Sequence, residues 1–216
     1  MSASTLHTSA EESIGFSLTE SQRMIAETIR SFAERELCAA ALLQCDEDQE
    51  FPIEVIEKLG ELGLLGIIFP EEYGGSGFGY REYATAIEEL AKVDPSIALT
   101  IAAHNSLGTN HIFQFGNKEQ KKKYVSELAS GKKLASWGLT EPNSGSDAAR
   151  MLTTAVRDGD DWVLTGTKNF ITNSHSAGIA VIMAMTEREK GNHGISAFIV
   201  EKDTPGFHVG KKENKL

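Results

Sequence analysis

The chain has 216 residues, 40% of them hydrophobic and 24% charged, enough apolar material for one large or two small folded domains. Lys and Arg number 21 against 31 Asp and Glu, a formal charge of −10, which argues against nucleic acid or an anionic membrane surface as a general partner. The longest apolar stretch, Leu62 to Phe69, falls far short of the ~20 residues a membrane-spanning helix needs.

Residues 1–17 read as a flexible N-terminal segment. The start of the chain holds Glu11 and Glu12 but no Lys or Arg and no long apolar run. It therefore fits neither a secretory signal nor an Arg-rich presequence, and cytoplasm is the default location. From residue 18 to 131 the apolar period is helical. Thr19 and Gln22 are spaced as a capping box, after which Ile25, Ile29 and Phe32 share one helix face. Pro52 suits a helix first turn, with Val55, Ile56, Leu59 and Leu62 as the inward stripe. Asp94-Pro95 starts another helix, and Ile97 to Leu107 is apolar nearly all round, as in a helix buried between others. Asn117 and Gln120 offer a second capping box ahead of Tyr124, Val125 and Leu128.

Three features of this half invite chemistry and have plainer accounts. Gly74-Gly75-Ser76-Gly77-Phe78-Gly79 fits no GxGxxG register and reads as a turn between helices. Lys118 with Lys121, Lys122 and Lys123 reads as a solvated helix face rather than a phosphate patch. Cys38 and Cys45, seven apart, have no second pair to complete a zinc site, and the six histidines show no ligand spacing, so no metal is expected.

After residue 131 the chain turns to strand formers, and 132–216 reads as a β domain. Thr153 to Arg157 and Trp162 to Thr165 flank Asp158-Gly159-Asp160-Asp161 as a hairpin. Ile179 to Met185 and Ile195 to Val200 are strong strands, and Asp203-Thr204-Pro205-Gly206 is a turn. The fold class is α+β: a helical bundle followed by an antiparallel sheet or small barrel.

The most informative residues are Trp137 to Asp147, WGLTEPNSGSD, followed by Lys168 to Asn173, KNFITN. Gly145 and Ser146 sit where backbone N–H groups approach an anion closely. Thr140, Ser144, Ser146 and Thr172 add short hydroxyls. Trp137 and Phe170 could flank a flat ring whose polar edge meets those groups. An ordinary connector, with Asp147 capping a short helix and the aromatics packed in a sheet, accounts for the same residues.

The run Leu139-Thr140-Glu141-Pro142-x-x-Gly145-Ser146-Asp147, with Lys168-x-Phe170-Ile171-Thr172-Asn173 some twenty residues on, resembles the acyl-CoA dehydrogenase family. So do Phe69-Pro70-Glu71-Glu72-Tyr73-Gly74-Gly75, His104-Asn105-Ser106-Leu107, Gly116-x-Lys118-Glu119-Gln120-Lys121 and Gly194-Ile195-Ser196-Ala197-Phe198, in the expected order from about Leu18 to Leu216. The resemblance implies the family's N-terminal helical and middle β domains, without its C-terminal four-helix domain. It also implies FAD as cofactor, an acyl-CoA substrate and an electron-transfer flavoprotein as partner, with a homotetramer or homodimer at full length. Short-chain and short branched-chain members look most similar.

The implied reaction is α,β-desaturation of a thioester. A carboxylate takes the α proton and the β hydrogen leaves as hydride to flavin N5. Carried over position by position, Trp137, Leu139 and Thr140 should contact the flavin ring. Gly145 and Ser146 should meet the FAD diphosphate, and Ser146 the CoA portion as well. Phe170 should cover one ring face, and Thr172 should bond near N5. Glu141 and Asp147 read as structural, since in the family the base belongs to the domain beyond Leu216, so no residue here is assigned as catalytic. An acyl-CoA oxidase, a nitroalkane-oxidase relative and a non-catalytic fragment stand as alternatives. The isolated chain is expected to bind FAD weakly or not at all, to be inactive, and to aggregate through an uncovered sheet edge.

Overall fold

The computed structural model describes residues 17–213; of the expected flexible segment 1–17, all but Ser17 lies outside the described residues. Helices fill the first half: α1 (Glu20–Glu36), α2 (Ala39–Glu47), α3 (Ile53–Glu61), α4 (Tyr80–Ala91) and α5 (Pro95–Ala103). A π turn, His104–Thr109, carries α5 into α6 (Asn110–Phe115). A last run comprises α7 (Lys118–Gln120), a second π turn at Lys121–Val125 and α8 (Ser126–Ala129).

The local start signals act as their chemistry requires. Thr19 and Gln22 close a capping box on α1, Asn117 and Gln120 close one on α7, and the Asp94 carboxylate accepts from Ser96 N and Ile97 N with Pro95 in the first turn of α5. Ile25, Ile29 and Phe32 are buried against Ile56, Leu59, Leu90, Ile97 and Ile101 in one core. Arg30 of α1 donates to both carboxylate oxygens of Glu89 on α4 at 2.7 Å, which fixes the register of that pair. Leu62, expected to face inward, is exposed. It lies past the last turn of α3, where Gly63 at φ +79° redirects the chain. The glycine-rich segment forms the connector into α4, with Gly74 left-handed at φ +80°.

Five strands make up the second half: β1 (Leu134–Gly138), β2 (Thr154–Asp158), β3 (Asp161–Thr165), β4 (Ala177–Met185) and β5 (Ile195–Glu201). The β2–β3 hairpin and the β4–β5 pair are antiparallel as expected. The sheet as a whole is not: β1 runs parallel to β4, and β2 meets β4 in parallel at Thr154 and Met185. The sheet is mixed because the chain leaves it after β1, makes the β2–β3 hairpin as an excursion, and re-enters beside β1 in the same direction, a connection long enough for a parallel pair. β1 itself has no counterpart in the sequence reading. Its residues Leu-Ala-Ser-Trp-Gly carry little strand propensity, and burial between β4 and the helices selects it.

A second core joins the two halves, with Phe69, Ile112, Val125 and Leu128 packed on Ala135, Ile179 and Val181. Gly108 in the first π turn lies so close to β1 that a Cβ there would sit 2.4 Å from the Ala135 Cβ. His104, fully buried, ties the same contact: Ala135 N–H donates to its Nδ1 and its Nε2 lies 3.0 Å from the Leu65 carbonyl. Lys123 and Tyr124 both reach Glu201 at the end of β5.

Candidate functional site

The two motif segments meet along β1. Residues 139–147 continue from its C-terminal end, while 168–173 run back beside it before entering β4. Asn169 N–H donates to the Thr140 carbonyl at 2.8 Å, and the Asn173 side chain donates to the Ala135 carbonyl at 3.3 Å. The loop between them thus spans the length of β1.

Glu141 and Lys168 weld the start of this arrangement. Both side chains are almost wholly buried, 4% and 8% exposed, and their ion pair is 2.7 Å long. Lys168 Nζ also donates to the Leu139 carbonyl, while the Glu141 carboxylate accepts from the backbone N–H groups of Leu152 and Thr153. Burial pushes the Glu141 carboxyl up. The ammonium and backbone donors outweigh that and hold it at about 2. An anion already saturated by three donors is a brace rather than a proton acceptor, in keeping with the structural reading of Glu141.

Against this framework Phe170 stands out. It is 73% exposed at a backbone φ of +58°, a conformation that bulky residues rarely hold, and makes no ring contact among the described residues. Nothing in the chain's own packing accounts for an aromatic ring projected into solvent from a strained loop. The half-buried Thr172 and the exposed Ser146 make no hydrogen bond among the described residues, and the half-buried Thr140 hydroxyl is likewise unbonded. A Cβ on Gly145 would meet nothing within 4 Å, so the fold itself does not demand glycine there, and its backbone is open to a ligand.

Trp137 is placed differently from Phe170. It is half-buried against the second core, with its ring 6.3 Å from that of His111 and its indole N–H buried without a partner. Ser144 is not available as a ligand either: its hydroxyl donates to the Asp147 carbonyl and its backbone bridges Glu141, closing the turn. Asp147 precedes a short 3-10 turn, Ala148–Arg150, without capping it through its side chain.

A cleft of about 720 Å³ opens beside the same loop, lined by Asn143, Arg150, Leu152, Met185, Arg188 and others. Two guanidinium groups there suit phosphate oxygens. No local motif marks this pair, because Arg150 and Arg188 lie 38 residues apart and only the approach of the loop after β4 to the loop after β1 brings them to one cleft. The lysine cluster has local partners: Lys123 is engaged with Glu201 and Lys121 lies over the Phe113 ring. Among the described residues no group of three or more His, Cys, Asp or Glu is placed to hold a metal, and no helix is long and apolar enough to cross a membrane. Both cysteines are free.

Residues 19–132 match the N-terminal domain model of the acyl-CoA dehydrogenases, and residues 136–216 match the middle domain model. The chain belongs to the acyl-CoA dehydrogenase family. It is 46% identical over 199 residues to the human mitochondrial short-chain specific acyl-CoA dehydrogenase, covering 92% of this chain and 48% of that protein. Its fold matches butyryl-CoA dehydrogenase from Megasphaera elsdenii with a TM-score of 0.88 and 44% identity, over 93% of this chain and 53% of that one. A glutaryl-CoA dehydrogenase from Mycobacterium smegmatis, solved in complex with FADH2, matches with a TM-score of 0.84 and 36% identity, over 92% and 50% respectively. The chain spans about half the length of the curated relatives it matches.

Proposed function

We propose that this chain is the flavin-facing part of an FAD-dependent acyl-CoA dehydrogenase acting on short or short branched acyl-CoA thioesters, with residues 18–131 as its helical domain and 132–216 as its β domain. The observation that carries the reading is Phe170, an exposed ring held at positive φ beside unbonded hydroxyls. A flat, polar-edged ring laid there would cover it, and the residues fit such a group. The likeness to short-chain and butyryl-CoA dehydrogenases supports the substrate class.

In this reading Phe170 covers one face of the ring and Thr172 donates at its polar edge. Leu139 and Thr140 line the ring, with Trp137 packed behind them. Open backbone at Gly145 and the Ser146 hydroxyl receive the diphosphate, with Ser146 also within the CoA region. Arg150 and Arg188 hold phosphate oxygens of the substrate's CoA. Bound FAD supplies the hydride acceptor for the β hydrogen. Glu141 is spent as a brace and is not the base that takes the α proton, which this reading assigns to the family's C-terminal helical domain. Electrons pass on to an electron-transfer flavoprotein, the complete protein is a cytoplasmic homotetramer or homodimer, and the isolated chain binds FAD weakly without dehydrogenating.

The test is anaerobic titration of the complete FAD-bound protein with butyryl-CoA and longer thioesters. Bleaching of the flavin absorbance is expected, and its absence at every acyl length sinks the proposal. Hydrogen peroxide formed in step with turnover under air points instead to the oxidase alternative.

A further inference from the structure

The strained loop that presents Phe170 and Thr172 is anchored at both ends. At its start, Asn169 N–H and Lys168 hold it to residues 139–141. At its end a single residue does the work. The Asn173 side-chain nitrogen donates to two carbonyls from different halves of the molecule, Thr100 of α5 at 3.2 Å and Ala135 of β1 at 3.3 Å. Its backbone carbonyl accepts from Ser176 and Ala177 N–H at 3.0 and 2.8 Å, starting β4. It sits at φ +66°, where glycine, asparagine and aspartate are the best-tolerated residues.

These demands select asparagine twice over. Glycine meets the backbone requirement but brings no donor. Aspartate tolerates the same φ but presents oxygens to two carbonyl oxygens. Only a primary amide offers two N–H groups from one atom on a side chain this short. The orientation follows from the acceptors and leaves the Asn173 oxygen buried without a partner, an unfavourable state that the two inter-element bonds must outweigh.

We infer that Asn173 is a positioning residue: its carboxamide locks the Phe170–Thr172 face against both α5 and β1, so that the helical half and the flavin-facing loop keep one fixed spacing. α5 contributes Leu99, exposed on the surface next to the Thr100 carbonyl that Asn173 grips. The inference rests on the flavin reading above and adds to it a residue whose amide is spent on carbonyls of the chain itself, yet which sets where two of the cofactor's contacts stand.

The test compares wild type with Asn173→Gly, which keeps the backbone conformation and removes the amide, and with Asn173→Asp. Amide hydrogen exchange is followed across residues 169–174 and across the β2–β3 hairpin, alongside titration with FAD up to ~1 mM. Exchange in 169–174 is expected to speed up about tenfold or more in both variants, with the hairpin unchanged, and the weak FAD affinity to fall about tenfold, with the aspartate variant at least as affected. A merely structural residue would loosen the hairpin as well. Unchanged exchange at 169–174 overturns the inference whatever FAD does. A loosened loop with undiminished FAD affinity overturns it and leaves the flavin reading standing. A wild-type chain that gives no response to FAD overturns the flavin wall, and this inference with it.

Discussion

Acid should loosen this protein through His104 before it reaches the carboxylates. The ring is fully buried, and because Ala135 N–H donates to Nδ1, the hydrogen of the neutral imidazole is on Nε2, facing the Leu65 carbonyl. Protonation would place a second hydrogen on Nδ1, directly against the Ala135 N–H. Burial lowers its pKa from 6.5 to about 4, against the opposing pull of the Leu65 carbonyl. In the unfolded chain the ring binds a proton near pH 6.5, in the folded chain only near 4, so between those values the unfolded state holds more protons and stability falls with falling pH. The shift of about 2.5 units, at 1.36 kcal/mol each, gives ~3 kcal/mol lost by the bottom of the window.

Glu89 and Glu141, each lowered to about 2, act in a separate window. Their stabilisation is present above the unfolded carboxylate value near 4.5 and is lost only as pH falls towards 2. Urea unfolding followed through Trp137 and Trp162, at steps from pH 7 to about 4, should therefore show a slope in wild type that His104→Asn lacks. The variant offers Ala135 N–H an acceptor that does not titrate. It should be the less stable protein at pH 7, with the gap closing by ~3 kcal/mol on acidification. Parallel curves for the two proteins would refute the reasoning.

Two other substitutions test the framework and the loop. Glu141→Gln strands the buried Lys168 ammonium and should cost ~3–5 kcal/mol in urea unfolding; adding Lys168→Met should recover part of that loss, whereas simple additivity would mean the pair is not coupled. Phe170→Gly relieves the φ +58° strain without uncovering any core, so it should raise the unfolding free energy slightly, by ~1 kcal/mol at most, while abolishing the flavin interaction; a clear loss of stability in urea unfolding would show that the ring is part of the packing.

The legible parts of the fold were those that neighbours in sequence decide. The capping boxes at Thr19 and Asn117, the Asp94-Pro95 start and the β2–β3 hairpin each depend on groups within a few residues. The parallel β1–β4 pairing depends on residues more than forty apart, and β1 mixes Leu134 and Trp137 with Ala, Ser and Gly, so its burial is imposed by its surroundings. The motif residues were visible as a family resemblance, and with it the structural role of Glu141, but the partners that each residue engages were not, since those come from distant parts of the chain. Glu141, Lys168 and Ser144 are spent on structure, Phe170 and Ser146 are exposed, and Asn173 joins α5 to β1. Leu62 failed its helical stripe because the helix ended one residue sooner than the apolar pattern did.

The central claim is that residues 137–146 and 168–173 form one ligand-facing wall beside β1. Titrating the ¹⁵N-labelled chain with FAD and mapping amide shift changes tests it most directly. The account predicts changes concentrated at Leu139, Thr140, Gly145, Ser146, Phe170 and Thr172, with α1 and the β2–β3 hairpin unmoved. Changes centred on the hairpin or the helices, or none in the two motif segments, would contradict it.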